Sequence, residues 1–170
     1  MRVLLRSAGL AVVVSLLVAC GFQLRGAYTL PFDSLYLAFA DYDVVGANLK
    51  RAIRASGTTR IALTQSDAQA SLISGTQYRD RVILSVSGTG RVSELRLRYL
   101  FNYRITDDKG RDLVPPNSVE IIRDLTYDDS QILAKQQEET LLWRDMENDL
   151  VQQLLRRLAA AKPVYPESEQ

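Results

Sequence analysis

Leu95-Arg96-Leu97-Arg98-Tyr99-Leu100-Phe101-Asn102-Tyr103-Arg104-Ile105 is the stretch that decides the fold. Leu95, Leu97, Tyr99, Phe101, Tyr103 and Ile105 fall on one parity, while Arg96, Arg98, Asn102 and Arg104 fall on the other, with Leu100 their only apolar companion. Side chains of a strand alternate between faces, so this run reads as a β-strand with one face packed and one wet, as in an antiparallel meander. Residues 70–78, 82–86 and 119–127 read as further strands around it. Ser87-Gly88-Thr89-Gly90 is a turn, and the stretch from Asp107-Asp108-Lys109-Gly110 to Pro115-Pro116 reads as a connection.

Upstream the period is different. Leu35-Tyr36-Leu37-Ala38-Phe39-Ala40 is apolar on both parities, as expected of a strand covered on both faces. Asp43 is placed to cap a helix running to about Ser56, with Val45, Leu49, Ala52 and Ile53 inward and Lys50, Arg51 and Arg54 outward. Gly57 then acts as the stop, and Ile61-Ala62-Leu63 follows as a short strand, which completes a β-α-β crossover. Downstream, Asp128, Asp129 or Ser130 opens a long final helix. Leu142, Met146, Leu150, Leu154 and Leu158 recur every four residues along it, widened by Trp143, Val151 and Leu155, and Pro163 and Pro166 close it. Two one-sided helices have one use here: packing on one face of a mixed, mostly antiparallel sheet. The expected fold is therefore α/β (α+β), a two-layer sandwich.

At the other end, Arg2 and Arg6 precede an apolar run over residues 8–19 that closes with Leu17-Val18-Ala19-Cys20-Gly21. A basic start, a short apolar middle and small residues at the cut are the layout of a secretory signal. The run falls short of the ~20 apolar residues that cross a bilayer. Leu-Val-Ala-Cys-Gly resembles a bacterial lipobox, in which the thiol receives a diacylglycerol before cleavage leaves Cys20 as the acylated N-terminus. The alternative is an ordinary secreted protein with one stray thiol. The lipobox divides the chain into a lipoprotein signal peptide (1–19), an acylated N-terminus and tether (20–33), an α/β domain (34–162) and a flexible C-terminal tail (163–170).

Composition removes several classes of chemistry. Removing the first 19 of 170 residues leaves 151, the size of one domain with a substantial core. Two of the 21 basic residues and none of the 20 acidic ones lie in the signal, so the mature chain carries a net charge of −1. The basic surplus suited to nucleic acid is absent. The chain has no His and one Cys, which excludes Ser-His-Asp and Cys-His catalysis and His- or Cys-built zinc sites. Gly88-Thr89-Gly90 is a turn, not a phosphate loop, and no dinucleotide or nucleotide fingerprint occurs. Carboxylate neighbours such as Glu138-Glu139 splay apart on a helix and form no glycosidase pair. This reading gives a non-enzyme that needs no cofactor and no metal.

The family resemblance rests on order and spacing. Cys20-Gly21-Phe22-Gln23-Leu24-Arg25-Gly26 follows the lipobox directly, then come the β-α-β start and a meander with a glycine-containing hairpin before Glu94. Ile132-Leu133-Ala134-Lys135-Gln136-Gln137-Glu138 opens the terminal helix, which finishes near Leu154-Leu155-Arg156-Arg157-Leu158. Across the whole mature chain the sequence resembles the lipopolysaccharide-assembly lipoproteins of the LptE family. The resemblance implies a lipoprotein acylated (palmitate included) at Cys20, held on the periplasmic leaflet of the outer membrane and in the lumen of a β-barrel. It also implies that the protein supports and plugs that barrel, the LPS-assembly protein LptD, binds lipopolysaccharide and assists its delivery to the cell surface. Gly21 after the acylated Cys, in place of Asp, implies outer-membrane sorting.

Lipopolysaccharide carries phosphates, which call for Arg or Lys able to make charge-assisted contacts. Lys135 matches the family pattern at a position the resemblance associates with the lipopolysaccharide surface. Arg91 is the cation nearest the hairpin tip, where the family's own basic residue has no aligned counterpart. Arg96 and Arg98 extend the candidate set along the strand, in a hairpin unit that also carries Arg79, Arg81 and Arg104. The competing expectation is a solvated face with Arg96, Arg98 and Arg104 paired across strands to Glu120 and Asp124, and Lys135 paired with Glu138 one turn on. Two other functional classes fit parts of the pattern. One is an accessory lipoprotein of a different envelope transport system; the other, an anchored periplasmic hydrolase, is disfavoured by the missing His and Cys.

Overall fold

Alternation in the central strand becomes a layer. In the computed structural model, which describes residues 28–165, the chain order is β1 (Ser34–Ala38), α1 (Val44–Ser56), β2 (Arg60–Ile61), β3 (Ala70–Val86), β4 (Val92–Thr106), β5 (Asp112–Thr126) and α2 (Ile132–Ala159). Short 3-10 turns precede β3 and α2. The signal segment, the lipobox with Cys20 and residues 166–170 lie outside the described residues. The sheet order is β2-β1-β3-β4-β5, parallel between β1 and both its neighbours and antiparallel across β3-β4-β5. This is the expected mixed sheet with two helices on it. Leu95, Leu97, Tyr99, Phe101, Tyr103 and Ile105 of β4 are all buried under those helices.

The helices form for the reasons their sequences give. Asp43 accepts a hydrogen bond from the Gly46 N–H at 2.8 Å, and Gly57 ends α1 in the left-handed conformation at φ 70°. Val45, Leu49 and Ile53 of α1, with Met146, Leu150, Val151, Leu154, Leu155 and Leu158 of α2, enter one core with the inner face of the sheet. Leu30 and Phe32, ahead of β1, are buried in that core as well, so packing begins before the first strand. Gly46 lets α1 approach β1 closely: a Cβ there would stand 2.6 Å from the Phe39 Cβ, and the Phe39 ring stacks on Phe101.

Two expectations about the strands need correction. Residues 70–78 and 82–86 are one 17-residue strand, β3, not two. Between the register pairs Ser74–Tyr103 and Gln77–Phe101, β3 has one residue more than β4. This bulge at Gly75-Thr76 shifts the inward parity from even residues (Ala70, Leu72) to odd ones (Gln77, Arg79, Arg81, Ile83). A change of phase looks like a break when only the period is read. Pro115-Pro116, taken as part of a connection, lie inside β5. Proline donates no ladder bond, but β5 is an edge strand and the pair sits where its register slips between Val114–Ile105 and Asn117–Tyr103.

A candidate cationic site at one pole of the sheet

Three chain segments meet at the pole where β3 turns into β4. The hairpin turn is closed by Ser87 N–H donating to the Arg91 carbonyl at 2.7 Å and by Gly90 N–H donating to the Ser87 carbonyl at 2.9 Å. Gly90 has φ 76°, a conformation an L side chain rarely adopts. The end of β5 lies beside this turn, with Glu94 opposite Thr126 and Tyr127 N–H donating to the Ser93 carbonyl at 2.9 Å. From there Asp128 leads into α2, its carboxylate accepting the Ser130 N–H at 2.9 Å and the Ser130 hydroxyl at 2.8 Å.

Asp128 lies within the field of two of the four candidate cations, Arg91 and Lys135. The Ser130 N–H and hydroxyl hold its carboxyl below the usual value, and the charges of Arg91 and Lys135 act in the same direction. Lys135 Nζ donates to Thr126 Oγ1 at 3.1 Å and to Glu138 at 2.8 Å, which pins the first turns of α2 to the end of β5. The expected pairing of Lys135 with Glu138 is therefore present. Arg91 is exposed and has no ion pair among the described residues. Glu138 is thus the internal anion at Lys135, while Asp128 is held by Ser130.

Arg96 and Arg98 are elsewhere. Both point to the sheet face opposite the helices. Arg96 makes a two-bond contact with Asp124, at 2.8 Å for each, and this pair holds the Asp124 carboxyl below its usual value. Arg98 takes Asp80 in the same manner, at 3.2 and 3.1 Å, with Glu120 at 3.7 Å. Arg104 is matched by Asp112 on β5, a partner that sequence reading missed because the register slip around the prolines decides it. Arg79 and Arg81 face the helix layer, paired to Glu147 and Glu139 of α2. No residue pattern in one strand announces those two pairs, since the bulge at Gly75-Thr76 creates them. Asp128 was legible only as a helix cap.

The geometry has counterparts among known proteins. A family model described as LptE, lipopolysaccharide-assembly, matches residues 32–158. The solution structure of an uncharacterized lipoprotein B from Nitrosomonas europaea superposes with a TM-score of 0.70 at 33% identity, covering 82% of this chain and 91% of that one. The rare lipoprotein B from Shewanella oneidensis gives 0.65 at 26% identity, covering 75% and 94%. A minor lipoprotein from Acinetobacter baumannii gives 0.65 at 24% identity, covering 81% and 99%, and is similar in fold. No curated protein matches in sequence.

Proposed function

Because the chain belongs to the LptE lipopolysaccharide-assembly family, we propose that it is anchored at Cys20 in the outer membrane, supports and plugs the LPS-assembly β-barrel LptD, and binds lipopolysaccharide at the pole carrying Arg91 and Lys135. The family is one of non-enzymatic envelope lipoproteins that work with the lipopolysaccharide transport machinery. The observation that carries the binding proposal is that Arg91 in the hairpin turn and Lys135 at the start of α2, 44 residues apart, lie at one pole of the sheet, brought there by the pairing of β4 with β5 and by the Lys135 contact to Thr126. Glu138 occupies Lys135 in the free protein and Arg91 has no ion pair among the described residues, so a ligand phosphate adds to Arg91 and exchanges with Glu138 at Lys135. Such binding suits a carrier, since a contact at exposed Arg91 is weak and reversible. Arg96 and Arg98, matched across the strands, contribute a balanced face more than an anion site.

The test is recovery of the full chain in mild detergent with identification of what accompanies it and of its N-terminus. The expected result is an outer-membrane β-barrel partner, lipopolysaccharide in the same fraction, and acyl chains on Cys20 by mass spectrometry. Recovery with the subunits of a different envelope transport system would overturn the barrel assignment in favour of the accessory-lipoprotein reading.

A further inference from the structure

The pole that carries Arg91 and Lys135 also exposes more aliphatic surface than a solvated turn requires. Ile83 is 57% exposed, Leu84 39% and Val86 59% on β3, and Ile132 44% and Leu133 76% on the first turn of α2. These residues lie close to the cations in strand register and along the helix. Val86 is the register partner of Val92, one residue from Arg91, and Lys135 lies within a turn of Ile132 and Leu133. Leu84 is the extra residue of a second bulge, between the pairs Ile83–Leu95 and Ser85–Glu94, and has no register partner on β4. β1 pairs with β3 only over residues 70–73, so among the described residues the edge of β3 away from β4 has no strand partner along this stretch.

We infer that this aliphatic rim holds the acyl chains of the same amphiphile whose phosphates Arg91 and Lys135 engage; the inference rests on the lipopolysaccharide-binding reading above. The ligand chemistry it fits is a phosphorylated glycolipid with several acyl chains. Cations and aliphatic side chains placed side by side match its two halves. Aromatic anchors are enriched where protein partners are held, and the exposed apolar residues of this rim are only Val, Leu and Ile. Edge pairing with a foreign strand is disfavoured as well, because the Leu84 bulge interrupts the edge and Arg79, Asp80 and Arg81 precede it. A flexible aliphatic chain needs no ladder register.

The experiment compares intact lipopolysaccharide with its fully deacylated form, which keeps the phosphates and sugars, on the full chain in mild detergent. Two variants are measured beside the wild type: the triple change Ile83→Thr, Leu84→Thr, Val86→Thr, and the single change Leu133→Gln on the helix. The Leu133 variant keeps the test open if the triple variant fails to fold. The wild type should bind the acylated form at least tenfold more tightly. The triple variant should lose most of that preference and the Leu133 variant part of it, with binding of the deacylated form unchanged. Equal wild-type binding of both forms would overturn the acyl site and leave the phosphate site standing. Variants that keep the full preference would overturn it too, as would equal binding to phosphatidylglycerol vesicles, which would make the rim a bilayer contact. Binding of neither form would remove the lipopolysaccharide reading and this inference together.

Discussion

Arg79 of β3 reaches Glu147 of α2 at 2.6 Å across the layer between sheet and helix. Its guanidinium also lies 4.4 Å from the Tyr99 ring centroid and 5.7 Å from that of Trp143. Tyr99 donates its hydroxyl hydrogen to Gln77 at 2.7 Å, and Gln77 in turn donates to Asp43, the cap of α1. One polar chain therefore connects both helices to β3 and β4. It begins where the bulge at Gly75-Thr76 has turned Gln77, Arg79 and Arg81 inward, so that α2 meets arginines where an unbroken alternation would have placed other side chains.

Removing Arg79 should cost more than removing an arginine from the opposite face. Arg79→Ala leaves Glu147, which is mostly buried, without its cation and opens space against Tyr99 and Trp143. Solvent screens part of the pair, since the Arg79 side chain is 41% exposed, and the expected loss is about 1 to 3 kcal/mol. Arg96→Ala, whose partner Asp124 is half exposed and keeps its solvent contact, should leave the urea midpoint close to that of the wild type. Equal shifts in the two variants would show that the helix–sheet layer gains nothing from the Arg79 network.

The leucine stripe of α2 should dominate stability. Leu150 and Leu154 are fully buried, and truncating such a side chain typically costs 2 to 5 kcal/mol against a total of roughly 5 to 15. Leu150→Ala and Leu154→Ala should each lower the melting temperature by several degrees, while Gln152→Ala on the exposed side of the same helix should hardly move it. Small and equal effects at all three positions would mean that α2 is not packed on the sheet.

What the sequence made legible follows from where one physical signal acts alone. In β4, alternation runs unbroken from Leu95 to Ile105, and every inward residue it identified is buried. Asp43, Gly57 and the stripe of α2 act through local rules and fold as read. β3 was split because a bulge changes its phase, and Pro115-Pro116 were placed in a loop because proline tolerance depends on being at an edge, which one strand cannot reveal. At the site, Lys135–Glu138 follows from helical spacing. That Arg91 and Lys135 share one pole depends on the pairing of β4 with β5, a relation between distant segments.

Acid should weaken the fold partly through Asp107. Burial pushes its carboxyl upward, but the backbone N–H and guanidinium of Arg111 and the N–H of Lys109 outweigh this and hold it below the ordinary 3.8. The Arg111 Nε contact is 2.7 Å and the two N–H contacts are 2.8 and 3.0 Å. With the folded value below the unfolded one, the stabilisation is fully present above pH 3.8 and is lost as the pH falls through the folded value. Asp107→Asn should therefore be less stable than wild type at neutral pH, and the gap in urea midpoint should shrink at roughly pH 3. A gap of the same size at both pH values would rule out this carboxylate as a source of the acid limb.

Binding at the cationic pole should respond to charge in both directions. Lys135→Asp and Arg91→Asp should each weaken lipopolysaccharide binding by the full chain, the pair together by more; Arg91→Asp should leave the melting temperature unchanged, while Lys135→Asp also lowers it by removing the contacts to Thr126 and Glu138. Reversal is needed because truncation at an exposed contact shifts affinity by only ~1 kcal/mol. Glu138→Gln should act the other way, since Glu138 holds Lys135 at 2.8 Å in the free protein and its charge competes with the incoming phosphate. All three effects should fade as salt rises from roughly 0.05 to 0.5 M, because the Debye length falls to a few ångströms. Lys50→Asp, on α1 and remote from the turn, controls for bulk charge. If Lys50→Asp weakened binding as much as the double reversal, or if Glu138→Gln left affinity unchanged while Lys135→Asp lowered it, exchange of an internal carboxylate for a ligand phosphate would not describe the site.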